Sequence, residues 1–492
     1  MVNPILLIAI PLFVAFSIPI IDRINKRAVS IAVLGTLLFN FIGIATILEH
    51  AIRKPILVVI GGWTPPWGIN LYADALGAFF AFIILLVALL VYLYIFYKDL
   101  YPAPYEKFNM LYLLVVMGAT GMVLTGDIFN MFVFLEITAI ASYGLSGIRG
   151  DGRGSEGAFK YLVLGSISSS FVLIGIMFLY GSIGSLNIAH IAQNVGKVNP
   201  YILGVAFTMF LIGFGTEAEL FPLNAWVPDT YTGAPHFVTA LFSGMVSKAG
   251  IYALIRLFYI LFGFTHFSWI LMILAFITLF VAELSAMTQS DLKRLLSYSS
   301  IGQMGLATLG FGLGSYLGFA ASLFQLLNHA ISKVVLFLSV GYLSEVLKSR
   351  RTSAIEGIGR KIPWIALVIT LSIFSLIGLP PFLGFWGKFY LVLAFIQKSP
   401  AYMIFIVFIL LVTLVEGYYY FRIVHKLYFS PFKGNLQEER QDFRIPILML
   451  ILVGILLLLG LYPKAILVYI KPAALSLLDK AGYIKSVLGG GL

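Results

Sequence analysis

Long apolar runs separated by short polar loops dominate this sequence of 492 residues. Hydrophobic residues make up 60% of the chain and charged residues only 11%, and the mean hydropathy is +1.00. These values exclude a soluble domain. A helix needs about 20 mostly apolar residues to cross a bilayer. The pattern therefore predicts an all-α polytopic membrane protein with about 14 transmembrane helices, at residues 4–21, 29–48, 75–97, 108–125, 128–147, 160–181, 199–221, 236–257, 264–287, 294–313, 317–345, 363–397, 401–425 and 445–462.

Basic residues are distributed unevenly between the two faces of this predicted bundle. Of the 32 Lys and Arg residues, twenty fall in loops on the face reached after the first span, and nine fall on the opposite face. Because cytoplasmic loops carry the excess of positive charge, we expect a multi-pass protein of the plasma membrane with both termini on the outer side. The net charge of +11 then follows from topology, and no nucleic-acid partner is expected. The three remaining basic residues, Lys248, Lys333 and Lys388, fall inside spans.

The chain contains no cysteine. A thiolate-bound cluster, a structural disulfide and a cysteine nucleophile are therefore excluded within it. No phosphate loop and no metal-ligand cluster is present in the sequence. We expect no cofactor and no resident metal, so any redox chemistry would belong to partner subunits. The first apolar run lacks a basic leading region, which predicts a retained helix rather than a signal peptide.

Two predicted spans contain helix breakers beside an ionisable residue. Pro222 cannot donate a hydrogen bond to the carbonyl four residues back, so the seventh span should unwind after Glu217. Pro380 and Pro381, flanked by glycines, should divide the twelfth span just before Lys388. Irregular backbone at membrane depth is tolerated only where it is buried in protein or lines a wet cavity. Both breaks therefore predict an interior polar path.

The two predicted breaks are five spans apart, and an odd offset inverts the second copy of a repeat. This spacing predicts two inverted five-helix repeats, spans 4 to 8 and spans 9 to 13. After the last span, Pro472 should interrupt a short interfacial helix. We divide the chain into an N-terminal three-helix segment (1–107), a first repeat (108–260), a second repeat (261–427), and the last span with an interfacial C-terminal segment (428–492).

Ionisable residues within spans are the candidates for function. A charge such as Lys248 facing lipid would cost about 2.5–3.5 kcal/mol on insertion scales, so these residues should face the interior. Glu136 lies about three helical turns from the loop that follows its span, near mid-membrane. His329 and Lys333 are four residues apart and share one helix face. We favour a proton path through them; the structural alternatives are a neutral, hydrogen-bonded Glu136 and a static polar patch between helices.

Three motifs carry a family resemblance. They are FPLNAWVPDTYTGAP at 221–235 with Lys248-Ala-Gly-Ile-Tyr after it, QSDLKRLLSYSSIGQMG at 289–305, and GLPPFLGFWGK ending at Lys388. These motifs resemble the proton-translocating antiporter-like subunits shared by Mrp-type cation/proton antiporters, respiratory complex I and membrane-bound hydrogenases. The resemblance implies that Glu136 is an essential proton-path residue and that other membrane subunits are partners. A lysine at the position of Lys388 is similar to the D-type subunits of Mrp antiporters and to one class of hydrogenase subunits.

One position departs from the family pattern. Relatives mostly carry a lysine where this chain has Glu217, and that lysine pairs with the glutamate matched by Glu136. Here the resemblance instead implies a pair of carboxylates, which would share a proton or bind a cation such as Na⁺. The equally weighted alternative is that Glu217 pairs with Lys248. Glu219 lies two residues further on, about 200° around an ideal helix, so it should not share a path with Glu217.

Two classes of function follow from these residues. The first is an ion-translocating, antiporter-like subunit of a larger complex, which moves protons and, in the cation-binding interpretation of Glu217, sodium. The alternative is an autonomous secondary carrier for a small solute that binds at the broken helices. The chain itself would be a non-redox subunit, and its complex would be either a redox-driven translocase or an Mrp-type antiporter.

We expect Asp291 to cap a helix, Glu283 to lie at the cytoplasmic end of the ninth span, and Glu416 to be a weaker pathway candidate.

Overall fold

A computed structural model describes residues 2–98, 100, 104–263, 267–432 and 444–489. Within these residues the chain forms twenty α-helices and one two-stranded sheet. The elements in chain order are α1 (Leu6–Ile24), α2 (Lys26–Ala51), β1 (Ile56–Val59), β2 (Asn70–Ala73), α3 (Ala75–Tyr97), α4 (Tyr105–Leu124), α5 (Ile128–Ser146), α6 (Gly152–Ile183), α7 (Ile188–Asn194), α8 (Pro200–Glu217), α9 (Val227–Gly233), α10 (His236–Leu241), α11 (Ser247–Leu257), α12 (Ser268–Met287), α13 (Leu292–Gly312), α14 (Tyr316–Leu347), α15 (Pro363–Ile377), α16 (Leu383–Lys398), α17 (Met403–Tyr428), α18 (Arg444–Leu461), α19 (Lys464–Leu478) and α20 (Lys480–Leu488).

The helices confirm the prediction of an all-α polytopic membrane protein. In the described part of the chain, twelve helical segments are long and apolar enough to cross a membrane, counting His236–Phe262 as one continuous segment. Two further predicted spans are occupied by α13, which carries Lys293 and Arg294 in its first turn, and by the divided pair α15 and α16. Neither of these meets the length and hydropathy of the other twelve. The count of fourteen therefore stays a prediction, as do the inverted repeats.

The loop between α2 and α3 departs from the all-helical pattern. Strands β1 and β2 pair antiparallel, with Ile56 opposite Ala73 and Val59 opposite Asn70. Apolar and β-branched residues on either side of a Gly- and Pro-rich turn favour such a hairpin. The tryptophans of the turn, Trp63 and Trp67, are exposed.

The helices differ widely in how much of their surface is covered by protein. In the most apolar part of His236–Phe262, 94% of the residues are buried, whereas in the most apolar part of Pro400–Tyr428 only 17% are buried. Helix α14 lies at the centre, in contact with α10, α13, α15, α16, α18 and α19. Lys248 and Arg256 on α11 and His329 and Lys333 on α14 are consequently surrounded by protein rather than by lipid.

Both predicted helix interruptions coincide with gaps between helices. Helix α8 ends at Glu217, and the next helical residue is Val227. Helix α15 ends at Ile377, Gly378 takes the left-handed conformation (φ 87°), and α16 begins at Leu383. A glycine suits that conformation because it has no Cβ.

Side chains satisfy backbone carbonyls at both interruptions. The indole Nε1 of Trp226 donates to the Thr216 carbonyl at 3.2 Å. The Nζ of Lys388 donates to the Ile377 carbonyl at 2.8 Å. These contacts are the polar partners that interrupted helices need within a bilayer.

The C-terminal segment corrects one prediction. Pro472 lies inside α19 and does not interrupt it. The helix persists because its apolar face, which includes Ile470 and Leu477, is buried, and α19 packs against α3 and α14. The chain instead leaves the helix at Asp479, whose side chain caps α20 through the Gly482 N–H at 2.8 Å.

Some residues that the sequence predictions used lie outside the described residues. They are Lys433 and Arg440 of the charge count and positions 264–266 of the predicted ninth span.

Candidate functional site

Two carboxylates from the first predicted repeat lie near each other. Glu217 is buried at the end of α8, and its Oε2 accepts a hydrogen bond of 2.9 Å from the Tyr161 hydroxyl. The Tyr161 ring stacks on Trp226 with centroids 3.7 Å apart, which fixes the hydroxyl. Glu136 on α5 is half-buried and close enough for its charge to interact with that of Glu217. No described residue donates a hydrogen bond to the Glu136 carboxylate.

The neighbour of Lys248 is Glu219, not Glu217. Within the described residues no ion pair joins Glu217 to Lys248, so that alternative is wrong. The carboxylate charge that acts on Lys248 comes from Glu219. Glu219 is fully buried and has a positive φ of 62°. The helix has already ended at Glu217, so the helical-wheel argument that separated Glu219 from the path does not apply beyond that residue.

Glu219 is held by two hydroxyl donors. The Tyr231 hydroxyl donates to Oε1 at 2.5 Å, and the Ser300 hydroxyl donates to Oε2 at 3.2 Å. A left-handed conformation is uncommon for a residue with a side chain. Strain of this kind persists only where surrounding contacts hold it, and these two hydrogen bonds supply such contacts.

Lys248 lies two residues after the end of a π-helical turn, Phe242–Val246. Such turns recur at functional sites. The Lys248 ammonium donates to the Ser243 carbonyl at 2.5 Å and to the Ser247 hydroxyl at 3.3 Å. It also contacts Nδ1 of His329 on α14. A lysine of α11 and a histidine of α14 are thus directly joined, 81 residues apart in sequence.

Ser300 on α13 connects these groups to one another. Its hydroxyl lies 3.3 Å from His329 Nε2 and 3.0 Å from the Ser243 hydroxyl, in addition to its contact with Glu219. A hydroxyl both donates and accepts. Glu219, His329 and Lys248 therefore form one hydrogen-bonded group, which we call the central cluster, with Ser300 at its junction.

Lys333 lies one turn beyond His329 on α14. Its ammonium donates to the Leu296 carbonyl at 3.0 Å, to the Ser299 hydroxyl at 2.9 Å and to the Tyr420 hydroxyl at 3.4 Å. It is fully buried, and no described carboxylate contacts it directly. A buried ammonium held by neutral oxygens is costly, so these surroundings suit a residue that exchanges protons better than one that keeps a fixed charge.

Lys388 ends the series on α16, just beyond the second interruption. It forms an ion pair with Glu416 on α17, with 2.7 Å between Nζ and Oε2. Gln303 donates to the other Glu416 oxygen at 2.7 Å. Glu416, a weaker candidate from the sequence, is therefore the direct partner of Lys388. An acid within an apolar run is energetically costly, and this cost could have ranked Glu416 higher among the candidates from the sequence alone.

Glu283 lies near its expected place but is covered by other helices. It lies four residues before the end of α12, near the helix end as predicted, but it is buried where α12 packs against α13 and α17, and Tyr419 donates to its Oε2 at 2.7 Å. Its expected neighbour Asp291 does cap α13, through the N–H groups of Lys293 and Arg294. Glu283 is close in sequence to that loop, but its side chain is buried because α13 and α17 cover it.

The arrangement suits proton movement better than metal binding. No group of three or more His, Asp or Glu side chains that could hold a metal ion occurs in the described part of the chain. A sodium site near Glu136 and Glu217 would therefore depend on backbone oxygens as well. The acids and bases are instead connected through Ser and Tyr hydroxyls, which can pass protons.

Comparison with known proteins identifies the family. The family described as "NADH:quinone oxidoreductase/Mrp antiporter, TM" matches residues 125–413, more than half of the chain. The chain belongs to this family. The match spans α5 to α16 and most of the first half of α17, and it contains every candidate residue named above except Glu416 and the tyrosines beside it. The resemblance seen in the sequence motifs is confirmed.

Members of the NADH:quinone oxidoreductase/Mrp antiporter family that resemble this chain include components of different complexes. The D component of the Na⁺/H⁺ antiporter of Alkalihalophilus pseudofirmus is 32% identical, covering 94% of this chain and 94% of the relative. The N component of the NADH-quinone oxidoreductase of Desulforudis audaxviator is 33% identical, covering 94% and 96%. A chain of the archaeal membrane-bound sulfane sulfur reductase superposes with a TM-score of 0.92 at 37% identity, covering 98% of this chain and 99% of the other.

Proposed function

We propose that this chain is an ion-translocating, antiporter-like subunit of a multi-subunit membrane complex, and that it relays protons through its buried acids and bases. The observation that carries the proposal is the central cluster. It joins Lys248 to Glu219 and His329 within a bundle whose lipid-facing surface is apolar. Buried ionisable groups in membrane helices usually mark ion paths. A static patch would not need a lysine, a histidine and a glutamate in one cluster.

The proposed path runs across the bundle from one ionisable group to the next. It begins at Glu136 and Glu217, passes through the central cluster to Lys333, and ends at Lys388. A change of charge at one group alters the proton affinity of the next because the surroundings have a low dielectric constant. This coupling lets an event at one end of the subunit drive proton uptake or release at the other.

The two helix interruptions lie along this path, and we propose that an internal repeat relates them. We propose that 108–260 and 261–427 are inverted repeats among fourteen spans, with Pro222 in the first break and Pro380 and Pro381 in the second. Matching gaps after α8 and α15 support this, since each has a side chain bonded to a carbonyl near the end of the preceding helix. Both termini would then lie on the outer side of the plasma membrane.

The relatives favour a subunit over an autonomous carrier, because each of the three is a component of a larger enzyme or antiporter complex by name. We propose that the partners of this chain are other membrane subunits of an Mrp-type, complex I-like or hydrogenase-like assembly. Glu136 and Glu217 make Na⁺ a second ion to test. Affinity purification of the tagged chain, followed by identification of its co-purifying subunits, assigns the complex.

The proposal is tested with Lys388→Ala, Lys333→Ala and Glu136→Gln in the assembled complex. Each substitution should abolish proton transport into vesicles without preventing assembly. Lys197→Ala and Glu156→Gln, which alter exposed residues outside the path, are the matched controls and should transport normally. Normal transport by all three pathway variants would show that these residues are structural.

A further inference from the structure

Glu283 is a buried acid that the proposed path does not use. It lies on α12, 1% exposed, where α12 packs against α13 and α17. Gly302 makes room for it, because a Cβ at position 302 would overlap Glu283 Oε1. A side chain at 302 would therefore displace the carboxyl group. The packing of α12 on α13 is built around this acid.

The two oxygens of Glu283 have different surroundings. Oε2 accepts the hydrogen bond of 2.7 Å from Tyr419. Oε1 is buried and has no hydrogen-bond partner among the described residues. An ionised carboxylate with one oxygen unpaired in an apolar interior carries an uncompensated desolvation cost. A carboxyl group in these surroundings is suited to hold a proton.

The charged and titratable groups that face Glu283 come from three helices. Glu416 and Tyr419 lie on α17, Lys388 on α16 and Lys333 on α14. Both oxygens of Glu416 are bonded, since Lys388 binds one and Gln303 the other. Two carboxylates and two lysines thus interact in one low-dielectric region, where two nearby carboxylates disfavour simultaneous ionisation.

Two tyrosines of α17 connect Glu283 to Lys333. The Tyr420 hydroxyl lies 2.6 Å from the Ser299 hydroxyl and 3.4 Å from Lys333 Nζ. The rings of Tyr419 and Tyr420 are neighbours, with centroids 4.5 Å apart. Residues that carry hydroxyl groups thus lie between Lys333 and Glu283.

We propose that Glu283 is a proton-binding residue of the second repeat and that its protonation controls the ion pair between Lys388 and Glu416. When Glu283 holds the proton, Lys388 has one carboxylate partner and the pair is intact. When that proton returns to the neutral amine of Lys333, a second carboxylate faces the Lys388 ammonium and competes with Glu416 for it. The proton that reaches Glu283 comes from the Lys333 ammonium, which becomes a neutral amine. This inference rests on the proposed function.

The test is Glu283→Gln in the assembled complex. Glutamine preserves the shape and can still accept the Tyr419 hydrogen bond, but it cannot bind and release a proton. Transport should fall by about a hundredfold, as when a proton-transferring group is removed. Glu156→Gln, at an exposed acid, is the matched control. A purely structural role for Glu283 predicts normal transport by the glutamine variant.

Infrared difference spectroscopy supplies the second measurement. The wild-type complex should show the carbonyl stretch of a buried protonated carboxyl, and Glu283→Gln should lack it. Tyr419→Phe should shift the band because the carboxyl loses its donor. If Glu283→Gln does not assemble, Tyr419→Phe alone decides: an unshifted band or no band overturns the proposal.

The outcomes separate this inference from the proposed function. Normal transport by Glu283→Gln beside loss of transport in Lys388→Ala overturns the role of Glu283 alone. Normal transport by Lys388→Ala, Lys333→Ala and Glu136→Gln overturns the proposed function and this inference together. Loss of transport with loss of the carboxyl band supports both.

Discussion

Glu219 and Ser300 are joined by a hydrogen bond of 3.2 Å, although they lie on different predicted repeats and 81 residues apart. This contact brings the acid that follows α8 to the junction of the central cluster. It also explains why Glu219, rather than Glu217, is the acid beside Lys248. The cluster is therefore shared between the two halves of the chain.

Glu219→Gln should reduce proton transport by at least about tenfold, because the neutral amide cannot stabilise a charged Lys248. The amide oxygen can still accept the Tyr231 hydrogen bond, and the NH2 group can donate to the Ser300 hydroxyl, so assembly should persist. Proton uptake by proteoliposomes containing the complex measures the effect. Transport at the level of Glu156→Gln would contradict a role for Glu219 in the path.

Glu217→Lys should preserve proton transport while removing any dependence on sodium. A lysine there can pair with Glu136, and its ammonium can donate to the Tyr161 hydroxyl, whereas a cation would be repelled. Proton pumping is followed in vesicles over a range of Na⁺ concentrations for wild type and variant. The same sodium response in both would mean that Glu217 is neither a cation ligand nor half of a coupled acid pair.

Asp74→Asn should destabilise the protein by about 3–5 kcal/mol, the usual cost of removing one partner of a buried ion pair. Arg256 is buried and its Nη2 lies 2.6 Å from Asp74 Oδ1. Asparagine caps helices as well as aspartate does, so the hydrogen bond to the Gly77 N–H at the start of α3 should survive.

Thermal unfolding of the purified complex measures this change. Adding Arg256→Met to Asp74→Asn should recover part of the loss, since no unpaired charge then remains. A double variant less stable than Asp74→Asn alone would show that packing of the Arg256 side chain against Tyr252 and Tyr483, rather than its charge, holds this region together.

Ser353→Cys should be labelled by a membrane-impermeant reagent only after cells are opened, because the loop after α14 is expected in the cytoplasm. The chain has no native cysteine, so a single one can be placed freely. Gln193→Cys, exposed on α7 in a loop expected on the outer side, is the positive control and should react in intact cells. Strong labelling of Ser353→Cys from outside would reverse the topology.

The sequence by itself determined the membrane architecture and the set of residues that need an interior. The length of an apolar run and the cost of a charge within it depend only on neighbouring residues in the sequence. Hydropathy therefore located the helices, and it identified Lys248, Lys333 and Lys388 as residues that need an interior position. Proline chemistry likewise located both interruptions, since it depends on one residue and the carbonyl four positions before it.

Only the tertiary structure decided which ionisable groups lie next to each other. Helical periodicity held as far as Glu217, where α8 ends, and the left-handed backbone at Glu219 then turned that acid toward Ser300. The partners of Lys388 and Glu283 come from α17, and no spacing along the chain encodes how α17 packs on α12 and α16. Pairing of distant charges depends on helix packing, and helix packing depends on every buried side chain at once.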